Sequence, residues 1–484
     1  MRTTRRRLIA GAASLLAAQA LGLPALAEAD RPRPRPPAGG AAATVEAIFA
    51  RSGLRAATGF ALVDLDNGAL LESAAPDTPR PPASVQKLVT ALYAHQALGP
   101  DYRFATRLLA SGPLVDGRLA GDLVLAGGGD PVLDTDRLGA LAAALRAGGV
   151  AAVEGRFLVA EGALPVAPAI DGAQPADAAY DPGVAGINLD FNRVFASWKP
   201  GGAALGFRAP GERGAVEVTG IRGAATDAAL PSRRVTEAGE VWALPRAGMR
   251  RAGSLWLPVA GAGRYAGEVF RGLAGQRGVV LPQPEVVAAG PAGGVLAVTL
   301  SPPLATVLRD MLRFSTNLTA EVVGLRASQS RGEAPADLAQ SAAAMTAWAG
   351  SLGLAPAHLV NHSGLSGAAR VSPAALVRFL RAADATPLPD LLPVRPLVDD
   401  DGDPVPGGVT VRAKTGTLDF VSGLAGYILG KRRLAFAILV ADLDRRASLG
   451  PGERASPPGG AAWTARARRQ ERQLVARWAR LHAA

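Results

Sequence analysis

The chain has 484 residues, of which 49% are hydrophobic, and this length and composition predict roughly two to four globular domains. Its net charge of +11 comes from arginines scattered along the whole chain. Because no long basic run is interleaved with aromatic residues, the sequence argues against nucleic-acid binding. A basic surface suits an anionic polymer, but it is equally typical of a genome that favours arginine codons. The chain has no cysteine, so neither disulfides nor thiolate chemistry contribute.

The first residues have the features of an export signal. Arginines at positions 5, 6 and 7 form a basic start, and residues 8–23 are apolar. A small-residue cleavage pattern follows, so we predict a signal peptide at residues 1–27 and a Pro/Arg-rich linker at residues 28–41. A transmembrane anchor is the alternative, but the apolar run is short for a span and Pro24 follows it. The protein is therefore expected to be periplasmic or secreted, and both the twin-arginine and the Sec route remain open.

Two kinds of pattern follow the linker. Residues 45–52 are helical in character, and residues 59–64 and 69–72 are strand-like runs on either side of an Asp-Asn-Gly turn, which predicts a hairpin. From about residue 100 to residue 258, short strand-like runs alternate with clusters of Gly, Pro and Asp. The sequence therefore predicts a β-rich unit of its own at 100–258.

A stretch that begins with two prolines, at positions 81 and 82, contains the first chemical motif. Apolar residues recur behind it at helical spacing, which predicts a buried helix over residues 84 to about 98. Ser84 lies in the first turn, and Lys87 is three residues later on the same face. A hydroxyl nucleophile thus lies beside an amine that can take its proton, at a helix end whose free N–H groups favour an oxyanion. A helix-capping serine with an exposed lysine is the alternative.

The scarcity of lysine favours the chemical interpretation. Of 52 lysine and arginine residues, the lysines are Lys87, Lys199, Lys414 and Lys431. Arginine does not deprotonate in proteins, whereas a buried lysine can become a neutral base. A lysine in this chain therefore suggests chemistry more than solvation.

Two further polar clusters occur downstream. Ser315 and Asn317 lie near the junction of two predicted helices, where a hydroxyl and an amide can relay a proton or orient a lysine, although capping residues have the same composition. An alternating strand pattern then ends in Lys414-Thr415-Gly416-Thr417. Its glycine lets another backbone approach closely, and the strand edge can pair with an extended peptide. A basic helix over about 461–481 is expected to pack across the sheet rather than to touch a membrane.

Taken together, the three clusters in this order resemble the motifs of penicillin-binding proteins and serine β-lactamases. The spacing is more specific, since 231 residues separate Ser84 from Ser315, far more than in a β-lactamase. The chain therefore resembles the low-molecular-mass class C penicillin-binding proteins, the D-alanyl-D-alanine carboxypeptidase/endopeptidase family. Secondary matches include Gly128-Gly-Asp-Pro-Val-Leu, Asn188-Leu-Asp-Phe-Asn-Arg-Val, Asn317-Leu-Thr-Ala-Glu and Ser363-Gly-Leu-Ser-Gly. Two departures are Thr316, where Asp or Asn is common, and Asn361-His362, where Asp-Gly is common.

This resemblance implies an α/β (α+β) fold of the transpeptidase type, in which helices cover an antiparallel sheet. Residues 42–99 and 259–484 would form the catalytic penicillin-binding domain, and residues 100–258 the inserted β-rich domain or domains. The implied substrates are peptidoglycan stem peptides, with β-lactams as covalent inhibitors. No metal, cofactor or nucleic acid is implied, and membrane contact is expected to be peripheral at most.

The resemblance also implies a role for each motif residue. Ser84 would attack the carbonyl between two D-alanines or at a D-Ala–diaminopimelate cross-link, and neutral Lys87 would accept its proton. Ser315 and Asn317 would relay protons and position Lys87. The strand residues would act on the substrate: Lys414 and Thr415 grip its carboxylate, Gly416 leaves room for it, and the Thr417 N–H joins that of Ser84 in an oxyanion hole.

Three alternatives remain open at the level of sequence. A β-lactamase shares the motifs, although the long insertion argues against it. An esterase would use the same serine and lysine on ester substrates. A cell-wall binding protein without activity would carry the motifs but fail to acylate Ser84.

Overall fold

The hairpin and the helix on either side of Ser84 are the first elements of the fold. The computed structural model describes residues 43–398, 408–450, 452–454 and 456–483, so the predicted signal peptide and linker lie outside the described residues. The first elements are α1 (Val45–Ser52), β1 (Thr58–Asp64), β2 (Leu70–Ala74) and α2 (Lys87–Leu98). The predicted hairpin is confirmed, because β1 and β2 pair antiparallel. The predicted motif helix begins as a tight 3-10 turn, Ala83–Gln86, and becomes α-helical at Lys87.

The middle of the chain is rich in short strands that alternate with turns. Its strands are β3 (Ala105–Ala110), β4 (Leu114–Val115), β5 (Arg118–Leu119), β6 (Leu123–Ala126), β7 (Asp130–Leu133), β8 (Ala152–Val153), β9 (Phe157–Ala160), β10 (Ile187–Leu189), β11 (Arg193–Trp198), β12 (Gly206–Ala209), β13 (Val216–Glu217), β14 (Ile221–Thr226), β15 (Ser232–Thr236), β16 (Gly239–Pro245), β17 (Gly253–Pro258), β18 (Pro284–Val287) and β19 (Gly294–Leu300). Its helices are α3 (Thr135–Ala147) and α4 (Ala262–Gly275).

These middle elements surround a hydrophobic core of their own, which runs from Leu108 to Leu281. Five strands form its largest sheet, in the order β18-β9-β6-β3-β19. Helix α4 and strands β18 and β19 belong to this part of the molecule, although they follow residue 258, where the sequence placed the boundary. We propose that the inserted region ends near Leu300. The last strand, β19, pairs antiparallel with β3, which lies near the start of the insertion.

The last third of the chain returns to the first sheet. Its helices are α5 (Leu304–Phe314), α6 (Asn317–Ser330), α7 (Leu338–Ser351), α8 (Pro373–Ala382), α9 (Leu388–Leu391), α10 (Leu443–Ala447) and α11 (Gly460–Trp478). Its strands are β20 (Ala357–His358), β21 (Arg370–Val371), β22 (Val394–Arg395), β23 (Thr410–Leu418), β24 (Val421–Leu429) and β25 (Arg433–Ala441).

A six-stranded antiparallel sheet results, in the order β2-β1-β25-β24-β23-β22. Strands β1, β24 and β25 are buried almost throughout, which is why they read as continuous apolar runs rather than as alternating ones. One face packs against α2, α5, α6 and α8 in a second core. Helix α11 packs across the other face, where the Trp478 ring lies 5.4 Å from Phe60 and 5.9 Å from Phe436, as the sequence favoured.

Candidate active site

The nucleophile candidate lies in the 3-10 turn before α2. Lys87 Nζ donates a hydrogen bond to Ser84 Oγ over 2.9 Å, and the Lys87 side chain is fully buried. Ala83, which precedes Ser84, has a φ of +48°, a conformation that is strained for a residue with a side chain. Gly364 packs directly on this turn, since a Cβ there would collide with the Ala83 carbonyl oxygen. The close packing of Gly364 supports the strained turn that presents Ser84.

Two further acceptors orient the Lys87 amine. Its Nζ also donates to Asn317 Oδ1 over 2.7 Å and to the Ser363 carbonyl over 2.8 Å. The Asn317 amide nitrogen donates to the Tyr180 carbonyl over 2.9 Å, which fixes the orientation of this amide. Because both acceptors are oxygens that cannot donate, an uncharged Lys87 directs its two N–H bonds to them. Its lone pair then faces Ser84 Oγ, as a general base requires.

Burial and one neighbouring carboxylate control the charge of Lys87. Desolvation lowers the pKa of Lys87 from 10.5 to about 7, and the Glu321 carboxylate acts in the opposite direction. Glu321 lies one helical turn after Asn317 on α6 and is fully buried. A lysine with a pKa near 7 is partly uncharged at neutral pH, so it can serve as a base there.

The strand side of the cleft holds the second lysine. Lys414 on β23 is fully buried, and its Nζ donates to Ser315 Oγ over 3.0 Å and to the Thr415 carbonyl over 2.7 Å. Ser315 ends α5 in the left-handed conformation, with a φ of +61°, which separates it from Asn317 at the start of α6. Burial lowers the pKa of Lys414 well below its ordinary value, and the positive charges of Lys87 and Arg395 lower it further.

Gly416 brings β23 against the nucleophile turn. A Cβ on Gly416 would lie 2.7 Å from the Pro82 carbonyl oxygen and 3.0 Å from the Ser84 nitrogen, so a side chain would push the strand away. Strand β22 pairs with β23 only through Val411 and Arg412, upstream of the motif. Thr415 and Thr417 are exposed at this end of the strand. The strand is therefore placed to receive an extended peptide beside Ser84.

The structure brings the three motifs singled out in the sequence together, and it places beside them four groups to which the sequence analysis gave no role. The Tyr180 and Ser363 carbonyls contact these residues directly, as does the Arg468 guanidinium, which donates to Thr417 Oγ1 over 3.2 Å. The fourth group, the Glu321 carboxylate, acts on Lys87 through its charge. Glu321 had a detectable signal, since it is the acid of α6 and is flanked by Ala320 and Val322 in the apolar part of that helix. Backbone carbonyls have no such signal, because every residue type supplies one.

The departure at Asn361-His362 is accommodated in the core rather than in the cleft. His362 is fully buried, with Nε2 2.7 Å from Ser341 Oγ, and burial lowers the pKa of its imidazole to about 3. The ring occupies the space above Gly324 on α6, where any Cβ would collide with it. His362 is therefore a neutral core residue behind the cleft.

Comparisons with known proteins identify the family and the fold. Residues 41–451 match the model of the D-Ala-D-Ala carboxypeptidase 3 (S13) family. A D-alanyl-D-alanine carboxypeptidase of Actinomadura sp. (strain R39) is 29% identical over 82% of this chain and 80% of that protein. Penicillin binding protein 4 of Haemophilus influenzae superposes with a TM-score of 0.73 and 20% identity, over 90% of this chain and 99% of that one. A structure of the same protein complexed with a β-lactam has a TM-score of 0.64 and 22% identity, over 82% and 94% of the two chains.

The structural likeness identifies the penicillin-binding fold and confirms the predicted fold class. The chain belongs to the D-Ala-D-Ala carboxypeptidase 3 (S13) family and is therefore a serine-type carboxypeptidase. The resemblance drawn from the three motifs is thereby confirmed. Among the described residues, no helix has both the length and the apolar character that a membrane span requires.

Proposed function

We propose that the protein removes the terminal D-alanine from peptidoglycan stem peptides, and cleaves D-Ala–diaminopimelate cross-links, through an acyl-enzyme at Ser84. The observation that carries this proposal is the 2.9 Å hydrogen bond between Ser84 Oγ and the fully buried Lys87 Nζ. A buried amine beside a serine hydroxyl is the arrangement that an acyl-transfer nucleophile requires.

The reaction begins with the attack of Ser84 Oγ on the scissile carbonyl while its proton passes to neutral Lys87. The carbonyl carbon becomes tetrahedral, and its oxyanion is held by the N–H groups of Ser84 and Thr417. The C–N bond then breaks, and the leaving amine takes a proton that Lys87 supplies through Ser315. Asn317 keeps the Lys87 amine in place during these transfers. Water then attacks the ester, which releases the shortened peptide and restores Ser84.

Substrate recognition belongs to β23 in this proposal. Lys414 and Thr415 bind the terminal carboxylate of the substrate, and Gly416 leaves space for its backbone between the strand and the serine turn. Lys414 is held in place through Ser315 Oγ and the Thr415 carbonyl. A β-lactam presents a carboxylate and a strained amide in a similar arrangement. We therefore propose that β-lactams acylate Ser84 and leave slowly.

The test is to incubate the mature protein with a fluorescent penicillin and to follow labelling, release and the labelled peptide. Parallel assays measure D-alanine release from a stem pentapeptide and cleavage of a cross-linked dimer. We expect one slowly released adduct on Ser84, abolished in Ser84→Ala but retained in Ser366→Ala, which alters a nearby serine outside the site. Rapid penicillin turnover without D-alanine release would support a β-lactamase, turnover of esters alone an esterase, and an absent or displaced adduct would contradict the mechanism.

Export from the cytoplasm is the second part of the proposal. It is supported by the basic and apolar composition of residues 1–27. Replacing Arg5, Arg6 and Arg7 together by lysine preserves the charge, so a Sec signal would tolerate the change whereas a twin-arginine signal would not. Fractionation of cells that express the variant distinguishes the routes: strongly reduced export indicates the twin-arginine pathway, and unchanged export indicates Sec.

A further inference from the structure

A fully buried carboxylate lies behind the candidate base without touching the cleft. The two oxygens of Glu321 accept hydrogen bonds from different backbone groups, Oε2 from the His362 N–H over 2.9 Å and Oε1 from the Ser363 N–H over 2.8 Å. The Ser363 hydroxyl adds a further hydrogen bond. A buried carboxylate is costly unless its oxygens are satisfied, and here the donors come from one short turn. Glu321 therefore holds that turn against α6.

The same turn contacts the candidate base from its other side. The Ser363 carbonyl accepts a hydrogen bond from Lys87 Nζ over 2.8 Å. The turn is closed by Asn361 Oδ1, which accepts from the Gly364 N–H over 2.9 Å. One residue, Ser363, thus links the two groups: Glu321 accepts a hydrogen bond from its N–H, and its carbonyl accepts one from Lys87. A shift of the carboxylate would move the acceptor that orients the Lys87 lone pair.

The charges around Lys87 make Glu321 electrostatically distinctive. From β23 the neighbouring charge is Lys414, with Arg395 on β22 beside it. From the 361–364 turn the neighbour is His362, which is neutral because burial lowers its pKa to about 3. From α6 it is Glu321, which favours the charged form of Lys87. When Lys87 takes the serine proton, it becomes a positively charged ammonium. Of the groups named here, Glu321 is the one whose negative charge stabilises that ammonium.

We propose that Glu321 is a positioning residue, which fixes the Ser363 carbonyl against Lys87 and compensates the charge that Lys87 acquires when it deprotonates Ser84. This inference rests on the proposed acyl-transfer function. Asn317 occupies the preceding turn of the same helix, so α6 supplies both the amide that contacts Lys87 and the carboxylate that supports it. The role is distinct from catalysis, since Glu321 reaches the base only through Ser363 and through its field.

The experiment measures penicillin acylation against pH for Glu321→Gln, which keeps the size of the side chain and removes its charge. We expect the maximal acylation rate to fall about tenfold and the ascending limb of the profile to move to lower pH by about one unit, because Lys87 loses the charge that favours its protonation. Burial raises the pKa of the Glu321 carboxyl although its hydrogen-bond donors act in the opposite direction, so both profiles are recorded across the whole ascending limb. With a stem pentapeptide, kcat should fall while KM stays unchanged.

Two variants complete the design. Glu240→Gln is the matched control, because Glu240 is also buried and its Oε1 also accepts two backbone N–H groups, those of Ala260 and Gly261, each over 2.9 Å, in the other core. Glu240→Gln should leave the ascending limb of the pH profile at its original pH. Glu321→Asp keeps the charge but shortens the side chain, so it should lower the rate while the limb stays near its original pH. This variant also serves if Glu321→Gln fails to fold.

If Glu321→Gln lowers the melting temperature but leaves the ascending limb of the pH profile at its original pH, Glu321 has a structural role alone and the proposal is overturned. A full acylation rate for Glu321→Asp would overturn the positioning part of it. The unaltered protein, measured in parallel, separates this inference from the proposed function. If it fails to acylate at any pH, the proposed function is wrong, whereas normal acylation with unresponsive variants contradicts the role of Glu321 alone.

Discussion

The two sides of the cleft bury one lysine each, but they surround it with opposite charges. On the helix side, Lys87 contacts three oxygen acceptors and faces the Glu321 carboxylate. On the strand side, Lys414 contacts a hydroxyl and a carbonyl and faces the positive charges of Lys87 and Arg395. Both side chains are 0% exposed, and burial is the largest cause of the lowered pKa of each, while the neighbouring charges act in opposite directions on the two pKa values.

This difference suits two different tasks. With a carboxylate behind it, Lys87 keeps a pKa of about 7 and can exchange a proton near neutral pH. Lys414 has no such carboxylate among the groups that shift its pKa, which is held well below its ordinary value. In the proposed function, an arriving substrate carboxylate would favour the charged form of Lys414 and would supply the counter-charge on the strand side.

The largest expected effect separates the two lysines. Lys87→Arg keeps a positive charge but removes the base, because arginine does not deprotonate in proteins. We expect acylation by penicillin to slow by about 10²–10⁴-fold, the usual cost of losing a general base. Lys414→Arg can still contact a carboxylate, although in altered geometry, so we expect weaker substrate binding with measurable acylation. The measurement is the acylation rate against penicillin concentration for both folded variants.

Equal losses in the two variants, or a greater loss in Lys414→Arg, would contradict this division of tasks. Circular dichroism and the melting temperature of both variants provide the control for folding, because arginine is larger than lysine and both lysine side chains are fully buried. A variant that is folded but inactive is informative, whereas an unfolded one is not compared.

The pH dependence of acylation is the next test of the comparison. Since the pKa of Lys87 is lowered to about 7, the amine is protonated below that pH and uncharged above it. The acylation rate of the unaltered protein should therefore rise about tenfold per pH unit up to about pH 7 and level off above it. Penicillin acylation measured from about pH 5 to about pH 9 checks this. A flat profile would contradict Lys87 as the base, and a rate that still rises at about pH 9 would contradict the lowered pKa of Lys87.

How much of the site the sequence predicts depends on whether side chains or backbone atoms are involved. Ser84 and Lys87 are three residues apart, so local geometry places them together, and the scarcity of lysine indicated Lys414 as well. The burial of Lys414 was not predicted, because it depends on packing between β23 and distant helices. The carbonyls of Tyr180 and Ser363 were missed for a different reason, since a backbone acceptor leaves no mark in the sequence.

The fold shows the same contrast between local and distant information. The hairpin of β1 and β2 and the strand that ends in the Lys414 motif were predicted, because turn residues and the alternation of side chains specify them locally. The end of the inserted region was placed at residue 258, although α4, β18 and β19 pack with the inserted strands. Their assignment depends on pairing between β19 and β3, which are separated by nearly the whole insertion. Such pairing has no short-range signal.

The smallest expected effect concerns Arg468, which adds a cation to the strand side from helix α11. Its guanidinium donates to Thr417 Oγ1 over 3.2 Å at the exposed end of the motif strand. If the strand side recognises the substrate carboxylate, Arg468→Ala should lower kcat/KM for a stem pentapeptide by about two- to fivefold, the range of an exposed ion pair. It should leave the corresponding C-terminal amide unaffected, because that substrate has no charge to attract.

Arg469→Ala is the control for this last comparison, because it removes the same charge from the neighbouring, exposed position on α11. A change in net charge alone would affect both variants alike and would fade with added salt to the same extent. A loss confined to Arg468→Ala and to the substrate with a free carboxylate would assign carboxylate recognition to the strand side. If instead kcat/KM falls equally for the pentapeptide and for its C-terminal amide, Arg468 positions Thr417 but does not contribute to carboxylate binding. Carboxylate binding would then depend on Lys414.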